Sequence, residues 1–114
     1  MSILELAKAL ACLATFDGHW LHASYRTKAF SLDAYISYDA KSQRFQRVEI
    51  DSAGEYLTGW STGIVDGKLE FEMSGAGPLG KVAFRDHVEL APVRFWGERK
   101  RDAKWIVAYD TTCK

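Results

Sequence analysis

The chain has little of several features that would by themselves define a class of protein. Only two of its 114 residues are proline, and 47% are hydrophobic, which excludes collagen-like and disordered chains. Fifteen basic residues balance fifteen acidic ones, so we expect no broad field that recruits nucleic acid or an anionic membrane surface. What remains is an aromatic-rich globular chain of one domain, residues 1–114.

No apolar run is long enough to cross a bilayer. The longest, LELAKALACLA, is interrupted by Glu5 and Lys8, which also makes it unlike a signal peptide. Its leucines and alanines recur at helical period, and Ser2 with Glu5 forms a capping box. The sequence therefore predicts a short N-terminal helix over about residues 3–14.

Cysteine is scarce, and its two positions leave a choice open. A disulfide between Cys12 and Cys113 would close a loop of roughly 100 residues and stabilise the fold by about 4–5 kcal/mol. The alternative is two free thiols. A bridge would indicate a periplasmic or secreted protein, and free thiols a cytoplasmic one. Neither CxxC nor HxxxH spacing occurs, so we predict no metal site, and we predict no cofactor.

After Gly18 the chain changes character, because aromatic and β-branched residues recur in short runs divided by turn residues. Short loops joining such runs are typical of an antiparallel up-and-down meander, and closing it into a barrel over about residues 18–113 would remove both exposed edges. We therefore predict an all-β, eight-stranded barrel with the helix closing one end. The predicted strands cover residues 19–27, 32–39, 43–51, 54–62, 68–74, 80–87, 90–98 and 104–112.

Alternation predicts which side chains face inward. Leu69, Phe71 and Met73 alternate with charged residues, as in a half-buried strand. Trp105, Val107 and Tyr109 are predicted to share one face of the last strand. Tyr56 and Trp60 lie on a mixed face that suits neither a dry core nor open water, so we predict that it forms a cavity wall.

The junction of helix and barrel carries the motif Gly18-His19-Trp20, which resembles the Gly-x-Trp signature of the lipocalins, the calycin-type barrels. The likeness extends to small bacterial lipocalin-like domains through scattered pieces, among them Asp51–Gly54, Ser61–Gly63 and the strand Trp105–Tyr109 near Cys113. The resemblance implies that Trp20 fills the closed end of a barrel. Lipocalins also carry an arginine that packs on this tryptophan, and none stands here at the matching spacing.

A barrel of this kind predicts a protein that binds a small apolar or amphipathic ligand, because eight strands enclose room for one. The candidate ligand-binding residues share inward-facing patterns or the motif itself: Trp20, His22, Arg47, Tyr56, Trp60, Phe71, Met73 and Tyr109. The alternative for the aromatic residues is that they simply fill the interior.

Two other classes of function stay open. An isomerase or cyclase would need titratable groups in the pocket, for which the candidates are His22, Glu49 and Tyr109, unless Arg47 and Glu49 form an outward pair. Association, with a second copy forming a homodimer as one case, would use Trp96 as an exposed anchor on the face of Arg94, Glu98 and Lys100. The alternative places Trp96 inside, with Phe95 outward.

Overall fold

The computed structural model describes residues 14–16, 19–61 and 63–112, the first three by their backbone only. Every regular element in this part of the chain is a β-strand, and no helix occurs there. The strands are β1 (Ala14–Phe16), β2 (Trp20–Arg26), β3 (Ser31–Asp39), β4 (Arg44–Asp51), β5 (Tyr56–Ser61), β6 (Lys68–Gly77), β7 (Gly80–Leu90), β8 (Val93–Arg101) and β9 (Lys104–Thr112).

The eight predicted strands are present as β2 to β9, and each pairs antiparallel with the next along the chain. The all-β, up-and-down prediction is therefore confirmed. The largest differences in bounds are three residues, at the ends of β6 and β8 and on both sides of Pro92, where β7 continues to Leu90 and β8 begins at Val93. Proline has no backbone N–H for a ladder, so it lies in the turn between them and not inside a strand.

The predicted N-terminal helix is not supported where the structure describes it. Ala14, its last predicted residue, begins β1 and pairs with His22 of β2. A strand ladder thus takes up the backbone hydrogen bonds at this position. The other helix residues, 3–13, lie outside the described ones, as do Cys12, Gly18 and Cys113.

The sheet curls into a half-barrel and does not form the sealed barrel that the sequence predicted. Within the described residues β9 pairs only with β8, and β1 occupies the edge of Trp20–His22 that a barrel of eight strands would offer to β9. The curl still brings the ends of the sheet together, since the rings of Tyr25 in β2 and Tyr109 in β9 lie 5.6 Å apart. At Gly75 a Cβ would lie 1.8 Å from the carbonyl oxygen of Tyr56, so the close approach of β6 to β5 there requires glycine.

The hydrophobic core lies on the inner face of the curl. Its side chains come from alternate positions of neighbouring strands, as a pleated sheet with one buried face requires. Full burial of each large member contributes about 1.5–3 kcal/mol to stability. The members with at most 2% exposure are Leu21, Ala34, Ile36, Phe45, Leu57, Leu69, Phe71, Met73, Phe84 and Val88.

Because the strands alternate in direction, their connections fall at two ends of the half-barrel. Residues 27–30, 52–55, 78–79 and 102–103 connect strands at one end, which we call the groove end. Residues 40–43, 62–67 and 91–92 connect strands at the opposite end.

Candidate functional site

Four polar side chains meet inside the half-barrel, and we call them the buried charge cluster: Arg47, Glu49, Asp86 and Tyr109. They come from β4, β7 and β9, and their exposed fractions are 2%, 0%, 0% and 4%. Arg47 and Glu49 face inward because they alternate with Val48 in the same register as the core residue Phe45. Buried charges require partners, and the cluster supplies them in part, since Nε and Nη1 of Arg47 form no hydrogen bond among the described residues.

Arg47 lies between the two carboxyl groups of the cluster. Its Nη2 donates to the hydroxyl oxygen of Tyr109 at 3.1 Å and to Oε2 of Glu49 at 3.4 Å, and its Nε lies 3.6 Å from Oδ2 of Asp86. The Tyr109 hydroxyl in turn donates to Oδ1 of Asp86 at 2.6 Å. The Tyr109 hydroxyl therefore bridges the two charged groups, since it accepts a hydrogen bond from Arg47 and donates one to Asp86.

Protonation balances the charge in this cluster. Burial, together with the negative charge of Asp86, raises the pKa of Glu49 to about 9. Burial likewise raises the pKa of Tyr109 well above its ordinary value. Burial alone would lower the pKa of Arg47, but the attraction of Asp86 and the other neighbours outweighs it and raises that pKa. At neutral pH Glu49 is therefore protonated while Arg47 keeps its positive charge.

The protonated state of Glu49 also accounts for two unpartnered oxygen atoms. Glu49 Oε1 and Asp86 Oδ2 are buried, and neither has a hydrogen-bond partner among the described residues when both groups are treated as carboxylates. A hydrogen bond between the two carboxyl groups contributes to the raised pKa of Glu49. When Glu49 is protonated, its carboxyl group can donate a hydrogen bond to Asp86, so one proton provides a partner for both oxygen atoms.

A glycine and a β-bulge direct Tyr109 into the cluster. Tyr109 pairs with Gly97, whereas the next residue of β8, Glu98, pairs with Val107, so Ala108 is the extra residue of a bulge. A Cβ at Gly97 would lie 2.2 Å from the ring of Tyr109 and 2.6 Å from Oδ1 of Asp86. The bulge breaks the alternation predicted for β9, and Tyr109 faces inward while Trp105 lies against Arg85 at 4.1 Å on the outer face.

An open groove of about 560 Å³ lies at the groove end, and we call it the end groove. Most of its lining is apolar, and three apolar members are strongly exposed: Leu79 at 101%, Val107 at 57% and Ile106 at 50%. The lining consists of Phe30, Ala53, Glu55, Pro78, Leu79, Phe84, Arg99, Arg101, Ile106, Val107 and Ala108.

An ion pair links opposite walls of the end groove. Arg99 of β8 donates from Nη1 and Nη2 to the two oxygens of Glu55, both at 2.6 Å. The hydrogen bonds from Arg99 lower the pKa of Glu55. Beside them, burial and the hydrogen bond with Glu55 raise the pKa of Asp51. Arg101 lines the same groove and forms no ion pair with another described residue.

The structure brings three of the candidate site residues together and separates the others. Arg47, Glu49 and Tyr109 meet in the buried charge cluster. Phe71 lies beneath it with its ring 5.8 Å from the Arg47 guanidinium carbon, and Met73 is a neighbouring core residue. None of these candidates lines the end groove. The remaining candidates, Trp20, His22, Tyr56 and Trp60, lie on the outer face.

Tyr56 and Trp60 are turned outward because the inner face of β5 is formed by Leu57, Gly59 and Ser61. Their exposed fractions are 55% and 39%. Because a glycine and a serine are not typical core residues, the sequence pattern favoured the other face of β5, with its two aromatic residues, as the inner one. That is why a cavity wall was predicted there. Neither side chain lines the interior or the end groove, and Trp60 borders a separate open groove of about 480 Å³.

His22 belongs to a polar network on the outer face, with Trp20 beside it on alternate positions from the buried Leu21. Its Nε2 lies 2.8 Å from Oδ1 of Asp33 and 3.3 Å from the hydroxyl of Ser24. Burial raises the pKa of Asp33, but hydrogen bonds from His22, Arg26 and Ser24 outweigh it and lower that pKa to about 2. A catalytic relay uses two different ring nitrogens, whereas Asp33 and Ser24 here share one.

Trp96 shares the outer face with Arg94 and Glu98, while Phe95 is buried. The alternative with Phe95 outward is therefore wrong. The indole stacks on His87 at 3.9 Å, donates to Glu89 at 2.8 Å and lies 5.1 Å from the Arg94 guanidinium carbon. These contacts cover part of the indole, which is half-buried, and association through this face stays a prediction.

Sequence reasoning missed Asp86 and the pair of Arg99 with Glu55. One signal could have found Asp86, since it follows Val82 and Phe84 and precedes Val88 on the same face of β7. A carboxylate in that inward register requires a buried partner. Nothing comparable marks Glu55, which lies in a turn and meets Arg99 only through the curl of the sheet.

The described residues contain no cluster of three or more His, Cys, Asp or Glu side chains able to hold a metal ion. Nor does any helix among them have the length and apolar character needed to cross a membrane. The structure shares with the lipocalin-like fold a curled, antiparallel, up-and-down sheet. Neither a protein-family model nor any curated protein sequence matches the chain.

Proposed function

We propose that the protein binds a small apolar or amphipathic molecule in the end groove. The observation that carries the proposal is the groove itself, a concave site of about 560 Å³ with mostly apolar walls. Ligand sites commonly have this size and lining, with a small number of polar groups that orient the ligand. The exposure of Leu79, Ile106 and Val107 leaves apolar area that a ligand would remove from water.

The end groove supports this function better than the interior does. The inner face is filled by core side chains with exposures near zero, and the centre is occupied by the buried charge cluster. A ligand there would have to displace close-packed groups. The site that we propose therefore lies at one end of the half-barrel and not in a central barrel cavity.

The Arg99 and Glu55 pair gives the end groove a polar element against which an amphipathic ligand can be oriented. Arg99 also packs over Phe84, with its guanidinium carbon 5.6 Å from the ring centre, so polar and apolar surfaces adjoin. The polar part of a ligand would lie near Arg99 and Arg101, and its apolar part along Ile106 and Leu79.

A matched pair of isoleucine variants tests the proposal. Ile106 lines the groove and is 50% exposed, whereas Ile50 is 48% exposed on the outer face of β4 and lies outside the groove. Titration with N-phenyl-1-naphthylamine, a neutral dye that fluoresces in apolar sites, should show saturable binding to the wild type. Ile106→Glu should weaken binding about tenfold or more because it puts a charge in the apolar wall, and Ile50→Glu should not.

The measurement has two results that would contradict the proposal. One is the absence of saturable dye binding to the folded wild type. The other is an equal loss of binding in both variants, which would place the dye elsewhere. Circular dichroism on each variant shows whether the fold is retained before the affinities are compared.

The second candidate function is proton-transfer catalysis of the isomerase or cyclase type, and one observation favours it. Glu49 has a pKa raised to about 9 and lies with Tyr109 against Arg47, which is an arrangement able to hold and move a proton. His22, the third candidate, is on the outer face and takes no part. Substrate would reach Glu49 only if the half-barrel opened, because its side chain is fully buried. Ligand binding therefore remains our primary proposal.

A further inference from the structure

The two ends of the half-barrel differ in charge, although the whole chain has none. The groove end, taken as residues 26–31, 51–56, 77–81 and 99–104, contains seven basic and three acidic side chains. The opposite end, taken as the described residues within 39–44, 61–68 and 89–94, contains four basic and three acidic side chains. The basic residues of the groove end are Arg26, Lys28, Lys81, Arg99, Lys100, Arg101 and Lys104, and the acidic ones are Asp51, Glu55 and Asp102.

Most of this positive charge is available to a partner. Arg99 is neutralised by Glu55, and Arg26 is paired with Asp33. The side chains of Lys28, Lys81, Arg101 and Lys104 are exposed, and none of them forms an ion pair within the described part of the chain. Arg101 lines the end groove, and the strands bring Lys28, Lys81 and Lys104 to the same end of the half-barrel from three different hairpins.

An apolar tip projects from the same end. Leu79 lies in the turn between β6 and β7, next to Pro78, and its side chain is fully exposed at 101%. Ile106 and Val107 add two half-exposed apolar side chains at the neighbouring edge. A leucine that projects ahead of basic residues can enter the interface of a bilayer.

From this combination we propose that the groove end docks on an anionic lipid surface. Lys81 and Lys104 would lie at the level of the phosphate groups while Leu79 enters the boundary of the acyl chains. The attraction acts only within about a Debye length of the surface, so the concentration of charge at one end matters more than the net charge of the chain. In this orientation the end groove opens onto the lipid, which is a source of amphipathic molecules.

Co-sedimentation with vesicles tests the proposal on the full chain. The wild type should bind vesicles of phosphatidylcholine mixed with phosphatidylglycerol at low salt, and should not bind vesicles of phosphatidylcholine alone. Leu79→Ser should reduce the partition coefficient by about fivefold or more, since the exposed leucine would no longer enter the interface. The double variant Lys81→Gln with Lys104→Gln should reduce it by about tenfold.

The opposite end provides matched controls. Val65 is a 69% exposed apolar residue in the connection between β5 and β6, and Lys41 and Lys68 are exposed there. Val65→Ser and the double variant Lys41→Gln with Lys68→Gln should leave vesicle binding unchanged. All six exchanged residues are exposed, so the variants are expected to fold as the wild type does.

Several results would overturn the proposal. These are no binding to the mixed vesicles, equal binding to neutral vesicles, or an equal loss in the control variants. An oligonucleotide that binds as strongly as the mixed vesicles, with Leu79→Ser having no effect on either, would assign the basic end to nucleic acid instead. Dye binding in the end groove is measured without lipid, so a failure of membrane docking is distinguishable from a failure of the proposed ligand site.

Discussion

Arg47 and Glu49 carry opposite formal charges, yet they are among the most deeply buried side chains of the described chain. The protein tolerates them because Tyr109 and Asp86 complete a hydrogen-bonded group and because Glu49 keeps its proton. Had both carboxyl groups been ionised, one guanidinium would have faced two negative charges in a dry interior, at a high cost in desolvation.

The raised pKa of Glu49 predicts a dependence of stability on pH. The ordinary pKa of a glutamate side chain is 4.5, and burial beside Asp86 raises the pKa of Glu49 in the folded protein to about 9. Between these values the folded state holds a proton that the unfolded state has lost, so the free energy of unfolding falls as pH rises, by up to ~1.4 kcal/mol per pH unit. Glu49→Gln removes this titration and keeps an amide able to donate to Asp86.

Urea unfolding at a series of pH values measures the effect. The advantage of Glu49→Gln over the wild type should grow from about pH 5 to about pH 8. Glu70→Gln, at an exposed position on the outer face of β6, serves as the control and should leave the slope unchanged. If Glu49→Gln and the wild type have parallel pH profiles, Glu49 does not hold a proton in the folded state.

At the scale of the elements, the curl of the sheet is held by contacts between strands that are not neighbours. Arg99 of β8 binds Glu55, which lies just before β5, and Arg47 of β4 contacts Asp86 of β7. The bulge at Ala108 adds twist to β9 and turns Tyr109 toward β2. The half-barrel therefore depends on polar contacts across its interior as well as on the ladders between adjacent strands.

A double-mutant cycle on Arg99 and Glu55 tests this contribution. Both groups are largely buried, at 22% and 5% exposure, and their hydrogen bonds are short and paired. We expect a coupling energy of about 1–3 kcal/mol between Arg99→Gln and Glu55→Gln in the free energy of unfolding. The exposed pair of Arg94 and Asp110 should give less than about 1 kcal/mol. Equal coupling in the two cycles would contradict the role assigned to Arg99.

The sequence predicted the strands well and their contacts poorly. Turn residues divide the chain so clearly that the strand order followed from them, and no bound shifted by more than three residues, the largest shifts being in β6, β7 and β8. Facing directions failed where local pattern is ambiguous, as at Gly59 and Ser61 in β5 or at the bulge beside Tyr109. A bulge of one residue reverses the alternation after it, and nothing in the string WIVAY marks where it falls.

The candidate site was predictable only in part for a related reason. Arg47 and Glu49 were recognisable as a pair on one face, but their direction depends on Asp86 and Tyr109, which lie far along the chain. The end groove has no local signature at all, because its lining comes from three connections and from the strands β7, β8 and β9. Such a site exists only once the sheet has curled.

For the whole molecule, the open edge of the half-barrel predicts a pattern of amide protection. Within the described residues β9 is bonded on one side only, by β8, whereas β6 and β7 are bonded on both sides. Hydrogen exchange followed by NMR should therefore show that the β9 amides directed away from β8 exchange much faster than amides of β6 and β7. Uniform protection along β9 would indicate that the edge is paired, as in a closed barrel.

The unequal ends of the half-barrel also bear on how the protein moves near a charged plane. A body with no net charge is neither drawn toward such a plane nor driven from it at long range, but an uneven distribution of charge subjects it to a torque. The protein would therefore orient before it binds a negatively charged surface, and the exposed Leu79 would reach that surface first. The positions of the lysine-bearing hairpins thus determine which end of the half-barrel turns toward a negatively charged surface.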